Sequence, residues 1–259
     1  MPGRSPYDSV GPCRTSRAAR TIGGLALSAI LLGPPGVATA QESSVSVDYD
    51  LTFASAYVWR GITFTDGAVF QPSITASHGS GFSFNTWGNL DIDDVNGLSG
   101  EFQEVDLTLA YEFGSDAVTA SVGLIDYLFP NGVGPETHEV FFTLGFDVPL
   151  QPSFAVYYDF DVIEGFYGTA ATEHGADFGD GWSYSVGLLA GFASEDFARV
   201  TAGGTDSGLF NGQITFTVAR ELTRGSLGFF VAYSDNLDDD VLPDQEVDLF
   251  GGVSLSLSF

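Results

Sequence analysis

Two short stretches carry residue types that could do chemistry. "SHGS" holds His78 and Ser80 two positions apart, a spacing at which an imidazole can act as base toward a hydroxyl. Such a pair needs a third group to orient the base, none is evident nearby, and the stretch also reads as a tight turn, so no enzymatic activity is expected. "ETHE" places His138 between Glu136 and Glu139, ligand types that hold a metal only when several converge; the simpler reading is an exposed loop histidine. His174 in "TEHG" falls at an outward position near a strand end. The acidic runs "DIDDVNG" and "NLDDDVLPDQE" invite a calcium reading, but an EF-hand register starting at Asp91 puts Val95 at the fifth ligand position and Phe102 at the twelfth. Irregular calcium loops and plain solvated acidic loops both fit them. No catalytic residue, metal site or organic cofactor is assigned.

Charge narrows the partners. Residues 1–40 read as a signal peptide: Arg4, Arg14, Arg17 and Arg20, an apolar stretch from Ile22 to Leu32, and small residues at Ala38 and Ala40. The remainder, 41–259, keeps 4 basic and 33 acidic residues, a formal charge of 4 − 33 = −29, with no lysine and no cysteine. A phosphate-binding surface needs Lys and Arg, so nucleic acid is excluded as a partner and small cations or neutral solutes are favoured. An acidic surface kept hydrated in a salt-rich habitat gives the same composition.

The elements that must position these groups are strands. Apolar and small polar residues alternate with period two, clearest in "SVSVDYDLTFASAYVWRG" and in "EVDLFGGVSLSLSF", which runs to Phe259. Twelve strands are expected, at about 44–60, 68–77, 82–93, 102–113, 117–129, 137–148, 154–161, 167–178, 182–193, 209–222, 226–235 and 247–259. Gaps after even strands are tight ("HGSG", "GSD", "LQPS", "GDG", "TRG"), and most gaps after odd strands are long. That asymmetry is the one found in outer-membrane barrels, with short turns periplasmic.

The faces separate this from a soluble sandwich. Ser, Thr, Gly and Ala fill the polar face through strand middles (Thr108, Ala110, Ser183, Ser185, Thr215, Thr217, Ser254, Ser256), where a soluble exterior would mix long charged side chains. The other face is Leu, Val, Phe and Ile, with Tyr57, Trp59, Tyr111, Phe113, Phe146, Phe192 and Phe259 near strand ends as interfacial aromatics. The expected fold is all-β: residues 41–259 form a closed antiparallel transmembrane β-barrel in which strands 44–60 and 247–259 are neighbours, embedded in bacterial outer-membrane lipid.

"SAYVWRGITFTDGAVFQPSITASHGSGFSFNTWGNLDID", with "GLIDYLFPN" and "VYYDFD" further on, resembles the TorF-type putative porins, a group of conserved hypothetical outer-membrane barrels. The resemblance implies the barrel fold and supplies no catalytic residues. Resemblance to outer-membrane proteins in general implies that the terminal Phe259 strand is read by the barrel-assembly machinery during insertion.

Twelve strands lie between barrels that side chains fill and those with a wide channel, so a narrow pore, gated or plugged by loops such as 194–208, is the physical expectation. Asp48, Asp50, Arg60, Glu104, Asp106, Glu139, Asp159, Asp161 and Asp248 are the candidate pore-lining residues. Acidic rings favour cations, and Arg60, the single lumen arginine, is expected either in the permeation path or in a structural ion pair. Passive diffusion of small cations or neutral solutes is the expected function; a structural, adhesive or receptor barrel with acidic outer loops, not a transporter, is the alternative.

Overall fold

The computed structural model describes residues 45–94, 97–131 and 134–259; the proposed leader, 1–40, lies outside them. In chain order the elements are β1 (Val45–Ala54), β2 (Tyr57–Trp59), β3 (Ile62–Thr65), β4 (Val69–His78), β5 (Phe82–Asp91), β6 (Phe102–Ser115), β7 (Val118–Leu128), β8 (Thr137–Phe146), β9 (Ser153–Asp159), β10 (Phe166–Gly179), β11 (Trp182–Ala193), α1 (Glu195–Ala202), β12 (Gly208–Leu222), β13 (Gly225–Asn236) and β14 (Leu249–Ser258). Twelve of these strands close one antiparallel barrel, each pairing with its sequence neighbour, while β2 and β3 form a separate hairpin.

Closure joins the strands farthest apart in sequence. β1 pairs with β14 from Asp48↔Ser258 to Ala54↔Gly252, and β1 pairs with β4 on its other edge from Val45↔His78 to Ala54↔Val69. Phe259 completes the ladder: its amide donates to Val47 O and its carbonyl accepts from Val47 N–H, at 3.0 and 3.1 Å. Its ring meets Tyr49 edge-on at 5.8 Å and lies beneath the Arg224 guanidinium. Among the described residues the barrel sheet has no unpaired edge strand, which a lipid environment requires of a sheet.

Alternation sets the two faces. Phe53, Ile74, Phe84, Leu109, Phe142 and Phe216 are among the large apolar side chains exposed on the outside, while Ser73, Ser121, Thr143, Ser185, Thr215 and Thr217 are buried within. A sheet with its greasy face outward and its polar face inward inverts a soluble protein and suits lipid contact. Short turns and both ends of the described chain lie at one rim, and the longer connections lie at the other.

Three features depart from simple alternation. The first barrel strand ends at Ala54, and residues 57–65 turn back as the β2–β3 hairpin; Tyr57 and Trp59, expected as interfacial aromatics, are instead buried inside. Residues 194–208 contain α1, capped by Ser194 Oγ accepting from Phe197 N–H and stopped by Gly203 in the left-handed region. Register shifts near Asn89/Leu90 and Ala190/Phe192 place two consecutive residues inside, Gln103 with Glu104 and Phe210 with Asn211. Such bulges re-aim side chains without breaking the ladder.

Candidate functional site: the barrel lumen

The long-loop half of the lumen is filled by the β2–β3 hairpin. Its tip is Arg60–Gly61, both at positive φ (53° and 84°), the geometry of a two-residue hairpin turn. Gly61 is required there twice over, since a Cβ would also meet Asn211 Cβ at 2.6 Å. The tip carries the Arg60 side chain into the inner wall, where Nη1 and Nη2 each donate to a carboxylate oxygen of Glu139 of β8 at 2.7 Å and Tyr127 Oη of β7 donates to the same carboxylate at 2.7 Å. The guanidinium carbon lies 4.3 Å from the ring centres of Trp59 and Tyr157, 4.7 Å from Tyr167 and 5.5 Å from Phe197. Burial, the largest influence, lowers the Arg60 pKa; the Glu139 charge, the hydrogen bonds to it and the neighbouring tyrosine hydroxyls together outweigh burial and the net direction is upward, so the guanidinium keeps its charge. The rest of the hairpin is pinned around the wall. Tyr57 Oη donates to Glu104 Oε2 of β6 at 2.9 Å, and Thr65 Oγ1 lies within hydrogen-bond reach of Asp91 and Gln103. Burial, then the charges of Glu104 and Asp106, hold the Tyr57 hydroxyl well above its ordinary pKa, so it remains a donor.

Two further segments pack on this plug. Phe197 of α1 is wholly buried, 6.0 Å from Trp59 and 5.4 Å from Tyr167 between ring centres. Val241 and Leu242, in the loop before β14, are also wholly buried and join the same apolar cluster. That loop is tied to the hairpin by Thr63 N–H donating to Gln245 Oε1 and Val247 N–H donating to Thr63 Oγ1. The result is a small soluble-type core seated inside the barrel mouth.

Below it the wall changes character. Thr108, Glu173, Gly187, Ser254 and Ser256 are partly accessible, and Asp50 accepts a hydrogen bond from the Ser256 hydroxyl. Of the candidate residues, Asp48 and Asp50 point inward on β1 in this half. Arg60, Glu104, Asp106, Glu139 and Asp159 belong to the plugged half and are buried. Asp159 accepts from Thr137 Oγ1 and from the amides of Asp161 and Ile163, fixing the turn after β9. Asp161 lies beyond β9 with its carboxylate 3.1 Å from His138 Nδ1, and Asp248 lies exposed just before β14. Among the described residues Arg60 is the one basic side chain in the lumen: Arg199 pairs with Asp196 on the exposed face of α1, Arg220 lies against Trp182, and Arg224 sits in the β12–β13 turn. Sequence reasoning missed Tyr127, Tyr157, Tyr167 and Phe197 as members of this site.

The other chemical candidates are dispersed. His78 Nδ1 and Ser80 Oγ lie 2.7 Å apart in the exposed β4–β5 turn, where Ser80 N–H also donates to the same nitrogen. His138 faces outward toward Asp126 and Asp161 while Glu139 faces inward, so the strand splits the "ETHE" pair between faces. In the second acidic run Asp238, Asp239 and Asp244 accept hydrogen bonds from their own loop or from Asn236. Among the described residues no group of three or more His, Cys, Asp or Glu is arranged to hold a metal ion.

Residues 38–148 match the model of a family described as bacterial protein of unknown function, Gcw_chp. No curated protein matches the chain in sequence. In structure it is similar to the KdgM porin (11% identity, 83% of this chain and 99% of that one, TM-score 0.50). The same porin in complex with disordered oligogalacturonate gives a TM-score of 0.51 at the same identity and coverage. An outer membrane channel of Pseudomonas putida F1 aligns at 11% identity over 87% of this chain and 99% of its own, with a TM-score of 0.48. The fold is that of an outer-membrane porin barrel.

Proposed function

We propose that the chain is a TorF-type, porin-like channel of the bacterial outer membrane for small cations or neutral solutes, closed at its outer mouth by the β2–β3 hairpin. The observation that carries this reading is the sign of the lumen. Asp48, Asp50, Glu112 and Glu173 line the accessible half on the inward face, and the single lumen arginine is neutralised by Glu139. A ring of carboxylates raises the local cation concentration and repels anions. A carboxylated sugar such as the oligogalacturonate in the KdgM complex would meet repulsion here. The short turns face the periplasm by the usual asymmetry of such barrels, with Phe259 at that interface for the assembly machinery to read and the apolar outer face against lipid.

A planar bilayer with a salt gradient tests it. The reversal potential should show cation preference, reduced when Asp48, Asp50 and Glu173 are replaced by the corresponding amides. Anion preference would overturn the reading. Complete absence of current, also after removal of the hairpin, would favour the second reading, a structural or adhesive barrel. The packed outer mouth is the observation on that side.

A further inference from the structure

We propose that the inner wall around Arg60 is a recognition site for organic cations carrying a guanidinium or quaternary ammonium group, and that Arg60 is its built-in competitor. The inference rests on the channel reading, because a solute must be able to reach the cage.

The wall half of the site belongs to four consecutive strands. Tyr127 of β7, Glu139 of β8, Tyr157 of β9 and Tyr167 of β10 all point inward near the long-loop rim, and all are buried. Glu139 accepts from Tyr127, the Tyr157 and Tyr167 rings lie 6.3 Å apart, and the guanidinium rests against both. A carboxylate backed by aromatic faces is the chemistry that selects a weakly hydrated organic cation over a small metal ion, since the ring quadrupoles replace water around a diffuse charge. Without Arg60 the wall would hold a buried carboxylate among tyrosines with its countercharge gone, a strong demand for another cation.

The tip of the hairpin supplies that cation. Arg60 holds a positive φ that a glycine would hold without strain, so the tip keeps a costly side chain whose guanidinium fills the cage. Trp59 of the hairpin and Phe197 of α1 complete the box on its other side, so the four wall residues belong to the barrel and not to the plug. On the short-turn side of the cage the inward face carries Asp48, Asp50, Glu112 and Glu173, all half-buried, carboxylates that favour cations over anions on that side.

The test is calorimetric titration of methylguanidinium into detergent-solubilised protein. Arg60→Gly, which suits the backbone at that position, should bind it saturably. The wild type, whose cage is filled, and the double variant Arg60→Gly with Glu139→Gln should bind at least tenfold more weakly. No binding by Arg60→Gly, or equal binding by the double variant, would show the cage to be an anchor only and overturn the proposal. Ile62→Cys, in an otherwise intact hairpin, gives a second measurement if Arg60→Gly fails to assemble, since residues 45–259 contain no cysteine. Methylguanidinium should accelerate maleimide labelling several-fold at constant ionic strength, and an unchanged rate would overturn the proposal. Binding in detergent needs no current, so a protein that binds but does not conduct keeps the cage and loses the channel reading. A cation-selective pore that binds nothing does the reverse.

Discussion

Toward the long loops the inner wall carries Tyr127, Phe141, Tyr157, Tyr167 and Phe210 against an inserted hairpin; toward the short turns it carries Ser185, Thr217, Ser254 and Ser256. The same strands build both halves, with the same outward apolar face, so the contrast comes only from which residues occupy the inward positions. Aromatic inward residues near one rim make a place for a segment to dock; small hydroxyls near the other fill less of the lumen. Twelve strands give a lumen wide enough for either treatment, and this chain uses both in series. Filling one half of the lumen therefore needs no separate domain, only a hairpin of nine residues and a wall that matches it.

The contrast can be broken first at Glu139. Replacing it with Gln leaves a buried guanidinium without its countercharge, a loss of about 3–5 kcal/mol for a pair of this kind. The plug should be released while the β-sheet circular dichroism and heat-modifiable migration of the barrel are retained, and maleimide labelling of Ile62→Cys should rise steeply. Gly61→Ala is expected to do less. It asks an alanine to adopt the left-handed region, about 1–2 kcal/mol, and to crowd Asn211, so labelling should rise moderately. Truncation of Phe259 removes an edge-to-face contact with Tyr49, about 0.5–1.5 kcal/mol, and the last pair of the closing ladder; slower assembly into liposomes should report it. Smallest in stability is Glu173→Gln in the accessible half, within about 0.5 kcal/mol. It should leave plug labelling unchanged and lower cation preference, which separates the roles of the two halves.

The barrel was legible because alternation is a property of each strand alone. Strands at 182–193 and 137–148 lie within two residues of where period-two patterning puts them, and the turn lengths gave the two rims. The plug was harder to see. "YVWRG" continues the parity of β1, so alternation cannot distinguish a strand that continues from a hairpin that turns inward. The available signal was the X-Gly pair between two β-rich triplets in "YVWRGITF", which is hairpin spacing. Strand parity puts Arg60 in the lumen and fits an ion pair there, but its partner lies 79 residues away, and no local pattern names it. Gln103 and Phe210 were hidden for another reason: bulges shift the inward parity by one, and they are set by pairing between strands.

Residues 57–65 fill one half of the lumen, and their excision tests most directly whether they plug a cation-selective pore. Ala54 and Val69 are already paired, so joining Ala56 to Asp66 leaves a five-residue connection of ordinary hairpin length and should preserve the barrel register. In a planar bilayer under a salt gradient, the excised protein should pass a much larger current than the wild type, with a reversal potential of cationic sign. A current equal to that of the wild type, or a larger current with anionic sign, would contradict the account.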